Sequence, residues 1–227
     1  LASVVQTDPA FAAQLLRLAN SPLFGGLQSV GTLSAALSRV GIAGLRELLL
    51  AASVNEILVV PGDPGLSARL QRRGLAVAVC AQTIAEEVDL QSEEAFTAGI
   101  LHDVGLPLAF GLIHVYRRQL PTQLVSSPEL QRVLAEQVHT TLGEQLGRAW
   151  RLPTAVVEVL GQHHDPESPA GDRSLVRCVT GARTLADLLG MEPEGQPIPE
   201  DCRALQVLGI DVYRAEELAA RAATRLL

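Results

Sequence analysis

The chain has 227 residues, 48% of them apolar and only 3% aromatic, and it carries a formal net charge of -7. That length supports one substantial core with an appendage rather than two full domains, and a core built from Leu, Val, Ile and Ala rather than from rings favours packed helices. Lys and Arg are scattered, which removes the basic footprint of a nucleic-acid partner, and no uncharged run approaches the roughly 18 to 20 residues needed to span a membrane. Cys80, Cys178 and Cys202 show no paired spacing and are expected as reduced, buried side chains. A cytoplasmic location is expected. The chain opens without a Met and is expected to be a piece of a longer protein.

Asp8-Pro9 predicts a helix start, with Asp8 as cap and Pro9 in the first turn. Phe11, Leu15 and Leu18 then recur at helical spacing until Asn20-Ser21-Pro22. Gly25-Gly26 and Gly31 make a loop, a short helix runs from Thr32 to Val40, and Gly41 separates it from a long apolar helix over Ile42 to Val59. Pro61-Gly62-Asp63-Pro64-Gly65 is a turn cluster. A long helix is predicted from Leu66 to about Val88, then one from an N-cap at Ser92 to Asp103, then one from Leu106 to about Tyr116.

Ser127-Pro128-Glu129 repeats the capped start and opens a helix to Trp150 that contains His139. Leu152-Pro153 begins the next helix, which ends at His163-His164 before a loop at Asp165-Pro166 and Ser168 to Gly171. Asp172 to Leu189 is helical, Glu192 to Pro199 is a linker, and two short helices around Ala204 and Glu216 close the chain. No segment alternates convincingly over a strand's length, so the fold class is all-α. The expected core comprises Phe11, Leu15, Leu18, Leu37, Leu45, Leu49, Leu75, Val79, Ile84, Ile100, Leu101, Leu134 and Val157.

Four of the five histidines fall in settings that suggest a site: His102 followed by Asp103, His139, and the pair His163-His164. Imidazoles and a carboxylate converging from separate helices are how helical bundles hold a metal. Taken singly, each histidine is better read as an ordinary hydrogen-bonded residue. The combination carries more weight, because Gly99 to Gly105 (Gly-Ile-Leu-His-Asp-Val-Gly) resembles the His-Asp signature of the HD superfamily of metal-dependent phosphohydrolases. Asp8-Pro9 with Leu15 to Ser21, Ala35-Ala36-Leu37 to Val40-Gly41, and Trp150-Arg151-Leu152-Pro153 followed by the paired histidines resemble segments of the HDOD domain, a branch of that superfamily.

The resemblance implies an N-terminal helical lobe at residues 1–60 and an HD-like helical core at 66–190, with residues 191–227 as a linker and helices packed on the core. It also implies bacterial signal transduction, with other signalling proteins or an attached sensor or receiver domain as partners. HD enzymes use a first histidine in the helix before the His-Asp pair and a later aspartate. On this alignment those positions hold Arg73 and Arg183. Two ligands have become two permanent cations, which would repel a divalent metal and compete for Asp103. Leu106 and the continuation His164-Asp165-Pro166-Glu167 depart from the cyclic-di-GMP phosphodiesterase pattern.

The expected function is therefore a non-catalytic regulatory module, with no catalytic residues and no cofactor. Its vestigial site is His102, Asp103, His139, His163, His164, Arg73 and Arg183, and any metal would fall to Asp103, His139, His163 and His164. One or both arginines are expected within ion-pairing reach of Asp103. The alternatives are a metal-dependent phosphohydrolase in which these side chains activate water, and a nucleotide-binding sensor that kept the cleft and lost the chemistry.

Overall fold

The structure is a computed structural model that describes residues 9–20, 24, 29–164, 174–190 and 203–226, the side chains of 9–12, 14, 55, 174 and 203 excepted. The described residues form helices and turns with no strand: α1 (Pro9–Ala19), α2 (Leu33–Ile57), α3 (Pro64–Glu87), α4 (Ser92–Leu101), α5 (Gly105–Tyr116), α6 (Thr122–Ser126), α7 (Pro128–Ala149), α8 (Thr154–Gln162), α9 (Ser174–Leu188), α10 (Arg203–Val207) and α11 (Val212–Leu226). The fold is all-α. The Asp8 cap, the loops at Gly25-Gly26 and at 165–171, the 192–199 linker, Phe11 as a core side chain and Cys202 lie outside the described residues.

Local chemistry accounts for most helix starts. Asp63 accepts from the Leu66 N–H at 2.8 Å ahead of Pro64, and Ser127 accepts from the Leu130 N–H at 3.3 Å ahead of Pro128. Ser92, expected as an N-cap, is instead the first helical residue, and Gln91 stands in the cap position without a side-chain bond. Glu93 and Glu94 still supply negative charge to the first turn, where the helix dipole favours it. The break expected at Gly41 is a kink inside α2, where Gly41 adopts φ 75° and ψ -177°, a conformation that a Cβ would disfavour.

Beyond the kink, α2 serves two clusters from different faces. Leu48 and Ala52 pack toward Leu15, Ala19, Ala36, Val40 and Leu45, the core of the N-terminal lobe. Leu50, Ala51, Val54 and Leu58 join the main core, where α3, α4, α8, α9, α10 and α11 meet. α2 is thus apolar on more than one face, as expected for a helix buried between neighbours. The C-terminal helix is integral to the main core: Leu218, Ala219 and Ala222 are buried in it, while Arg214, Arg221 and Arg225 tie its outer face to Glu86 and Glu87 of α3.

Leu15, Leu45, Val79, Ile84, Ile100, Leu101 and Val157 are buried as expected, and Leu18, Leu37 and Leu134 are half-buried. Two expectations fail. Leu49 is 42% and Leu75 39% exposed, because α2 and α3 turn their flanking residues inward and leave these leucines on the remaining face. Cys80 and Cys178 are buried free thiols, and burial pushes both up to about 12. The segment Ser92–Tyr116 is long and apolar enough to cross a membrane by length and composition, with Glu93 and Glu94 at its start and Asp103 at its middle as its charges. It is two helices broken at the His-Asp turn, and 67% of its most apolar window is buried inside this fold.

Candidate metal and signalling site

The His-Asp turn lies between α4 and α5, and its position depends on how closely α5 approaches α7. A Cβ on Gly105 would sit 1.9 Å from the carbonyl oxygen of His139 and 2.9 Å from the Gly143 nitrogen. Only glycine admits that approach, which sets Asp103 against the middle of α7. α8 ends at His163, whose carbonyl accepts a 2.9 Å bond from the Thr180 hydroxyl of α9. Three separate chain segments, the His-Asp turn, α7 and the end of α8, thereby deliver His102, Asp103, His139, His163 and His164 to one place.

Ring orientation follows from the backbone. The Nδ1 atoms of His102, His139 and His163 lie 2.7, 2.7 and 3.0 Å from the carbonyls of Gly99, Glu136 and Val159. A carbonyl only accepts, so each Nδ1 carries a proton and each ring turns its Nε2 inward, where a neutral ring presents a lone pair. Backbone-anchored Nδ1–H with a free Nε2 is the arrangement of metal-ligating histidines. The three rings are 1%, 2% and 0% exposed.

Asp103 receives them. His102 Nε2 is 2.9 Å from its Oδ2, while His139 and His163 Nε2 are 3.6 and 3.2 Å from Oδ1. His102 Nε2 is close but misaligned, and it has no hydrogen-bond partner. Burial by itself would push the Asp103 carboxyl up; His102 and then His163 outweigh it and hold the group well below the usual carboxylate range. Burial also pushes His163 down, to about 4, against the pull of Asp103.

The Nε2 atoms of His139 and His163 are 3.3 Å apart, and those of His139 and His164 3.1 Å. Tetrahedral coordination with metal–nitrogen bonds of about 2.0–2.1 Å spaces its ligands about 3.3 Å apart. Donor atoms of Asp103, His139, His163 and His164 all lie within 4.8 Å of one another. By spacing and tautomer, Asp103, His139 and His163 fit a divalent cation.

His164 does not fit. Its Nδ1 lies 3.2 Å from Nη1 of Arg183, and a guanidinium only donates. The Nδ1 of His164 must accept, so its Nε2 carries the proton and points at His139. The residues present therefore do not make a four-ligand centre. Burial first, and the Arg183 charge second, push His164 down to about 3.

The arginines are placed near the cluster, but neither pairs with Asp103. Arg73 reaches across from α3 to Asp187 of α9, Nη1 to Oδ1 2.5 Å, both side chains nearly buried at 11% and 13% exposure. Arg183 donates from Nη1 to the His163 carbonyl at 3.3 Å as well as to His164, and its Nε lacks a partner. The expected ion pair with Asp103 is thus corrected. Asp187, one turn beyond Arg183, is within closer reach of Arg73, and the histidines already surround Asp103. Sequence reasoning missed Thr180 and Asp187, although with Arg183 they sit three and four residues apart on one face of α9.

The sequence matches the model of the HDOD domain family over residues 1–166. The chain belongs to the HDOD family. A solved HDOD domain protein from Geobacter sulfurreducens superposes with a TM-score of 0.69 at 23% identity, covering 97% of this chain and 75% of that one. A candidate metal-dependent phosphohydrolase from Shewanella amazonensis superposes with a TM-score of 0.68 at 16% identity, over 97% of this chain and 83% of that one. An uncharacterized protein of Treponema pallidum is 24% identical over 213 residues, 88% of this chain. The HDOD chain spans only 40% of the length of that relative.

Proposed function

We propose that this HDOD domain is a non-catalytic regulatory module of bacterial signal transduction, acting through contacts with other signalling proteins or with an attached sensor or receiver domain. The observation that carries the reading is the fate of the two arginines. Where the HD resemblance expects a ligand histidine and a ligand aspartate, Arg73 is engaged with Asp187 and Arg183 with the His163-His164 turn. The described donor set keeps one carboxylate, Asp103. A hydrolytic metal needs an open position for water, and the Nε2–H of His164 points at His139, over the nitrogen such a metal would use. The signalling setting is supported by a solved neighbour from Marinobacter aquaeolei named as a candidate signal transduction protein, of which this chain covers 53% at a TM-score of 0.65.

The second reading, a metal-dependent phosphohydrolase, is favoured by one observation: the convergence of Asp103, His139 and His163 with inward lone pairs. Two of the solved neighbours, both from Shewanella amazonensis, are named as candidate phosphohydrolases. The test is elemental analysis of protein purified without chelator, paired with hydrolysis of bis-p-nitrophenyl phosphate in added Mn²⁺, Fe²⁺ or Zn²⁺. The regulatory reading expects no turnover under any metal. Turnover that Asp103→Asn abolishes would move the protein to the enzyme class.

A further inference from the structure

Building on the non-catalytic reading above, we propose that Arg183 is a tautomer lock: it holds His164 as the Nε2–H form and so withholds the fourth ligand from an otherwise assembled site for a borderline first-row cation such as Zn²⁺ or Co²⁺.

The case rests on hydrogen-bond roles around one ring. Every Nδ1 in the cluster has a backbone carbonyl beside it except that of His164, which has a guanidinium at 3.2 Å. Carbonyls accept and guanidinium groups donate, so the first three rings turn lone pairs inward and the fourth turns a proton inward. That proton has a partner, because His164 Nε2 lies 3.1 Å from His139 Nε2, whose own Nδ1–H is committed to Glu136. The His164 N–H therefore also covers the His139 lone pair that a metal would use.

Arg183 is itself held in place. Its Nη1 also donates to the His163 carbonyl, the acceptor that Thr180 shares, and Arg73 of α3 and Asp187, one turn further along α9, flank it. Charge repulsion acts beside this, since Arg183 also interacts with Asp103 through space, and removing His164 separates the two effects. What Arg183 changes is the ligand count, from four to three.

Co²⁺ alone is the probe, since its visible spectrum reports coordination geometry without any turnover. In the full chain, Arg183→Met should raise Co²⁺ affinity about 10- to 100-fold, the range over which second-shell partners act, and bring in a tetrahedral absorption band. His164→Ala alone uncovers the His139 lone pair but supplies no fourth donor, so it should fall well short of the Arg183→Met gain, and in the Arg183→Met background it should erase the tetrahedral band and the gain. A gain that survives His164→Ala would overturn the proposal in favour of mere removal of a cation. So would the absence of any gain in a folded variant.

Long-range ¹H–¹⁵N spectra of the unmodified protein give a reading that needs no variant. His164 should show a pyridine-type Nδ1 and a pyrrole-type Nε2, the reverse of His102, His139 and His163; the same pattern in all four would overturn the lock. Stoichiometric tetrahedral Co²⁺ in the unmodified chain without turnover would sink the lock and leave the regulatory reading standing. Turnover would sink the regulatory reading.

Discussion

The main core and the N-terminal lobe are built on different terms. In the main core, α3 buries the continuous run Ala76 to Ala81 against α4 and α9, so small residues bring backbones together and leave larger side chains such as Ile84, Leu160 and Leu185 enclosed on all sides. The lobe buries Leu15, Ala19, Ala36, Val40 and Leu45, with its remaining described apolar side chains only partly covered, and α2 leaves Ile42, Leu49 and Ile57 open to solvent. The difference teaches where rigidity is needed: the His-Asp cluster hangs on the tightly packed part, while the lobe presents surface.

The largest effects should come from the main core. Ile84→Ala or Leu160→Ala should cost about 3 to 5 kcal/mol, because both side chains are fully enclosed and the small residues around them cannot collapse into the space. Urea unfolding measures it, and a loss under about 1 kcal/mol would erase the contrast with the lobe. Gly105→Ala should cost about 3 kcal/mol, since the new methyl meets the His139 backbone rather than a side chain that can swing away. The same change should move the ¹⁵N shifts of His139 and His163, because it separates α5 from α7.

Acid should act through the same cluster. His163 is held near pKa 4 when folded against about 6.5 when unfolded. Between those values the unfolded chain binds the proton and the folded chain does not, so stability is full above about pH 6.5 and falls as the pH drops toward 4. The loss is on the order of 3 kcal/mol at most. Asp103, lowered in the fold, adds a further loss as the pH falls below its unfolded value. His164, pushed down to about 3, adds to the loss over the same window, so His163→Gln should lower the slope without abolishing it in urea titrations at about pH 7, 5.5 and 4.5.

The lobe should respond more weakly. Leu45→Ala is expected to cost about 2 kcal/mol, the low end for a buried leucine, and to speed amide exchange in α1 and the first part of α2 while α3 and α9 stay protected. Equal acceleration in both regions would show that they open as one unit. Smallest of all, Leu49→Ala and Leu75→Ala should stay within about 0.5 kcal/mol, because both side chains are largely outside the packing.

Much of this architecture was legible in the sequence for local reasons. Asp63-Pro64 and Ser127-Pro128 start helices through the bonds seen at Leu66 and Leu130, and Gly41 marks a break because its conformation excludes other residues. Such features depend on atoms a few residues apart. The motif order around His102-Asp103 pointed to the HDOD family, and the match over residues 1–166 bears it out.

Tertiary structure decided the rest. Helical spacing marks Leu49 and Leu75 as apolar but does not say which face a neighbour will cover, and the neighbours took the other faces. Alignment placed Arg73 and Arg183 near the site, and Coulomb's law alone nominated Asp103 as their partner. The actual partner of Arg73 is Asp187, one hundred and fourteen residues along the chain, and Arg183 turns to His164. Which acceptor a guanidinium finds depends on ångström-scale distances set by the packing of α3, α8 and α9, and so does the tautomer of each histidine: a sequence names the imidazole, but the group opposite its Nδ1 decides where the proton sits.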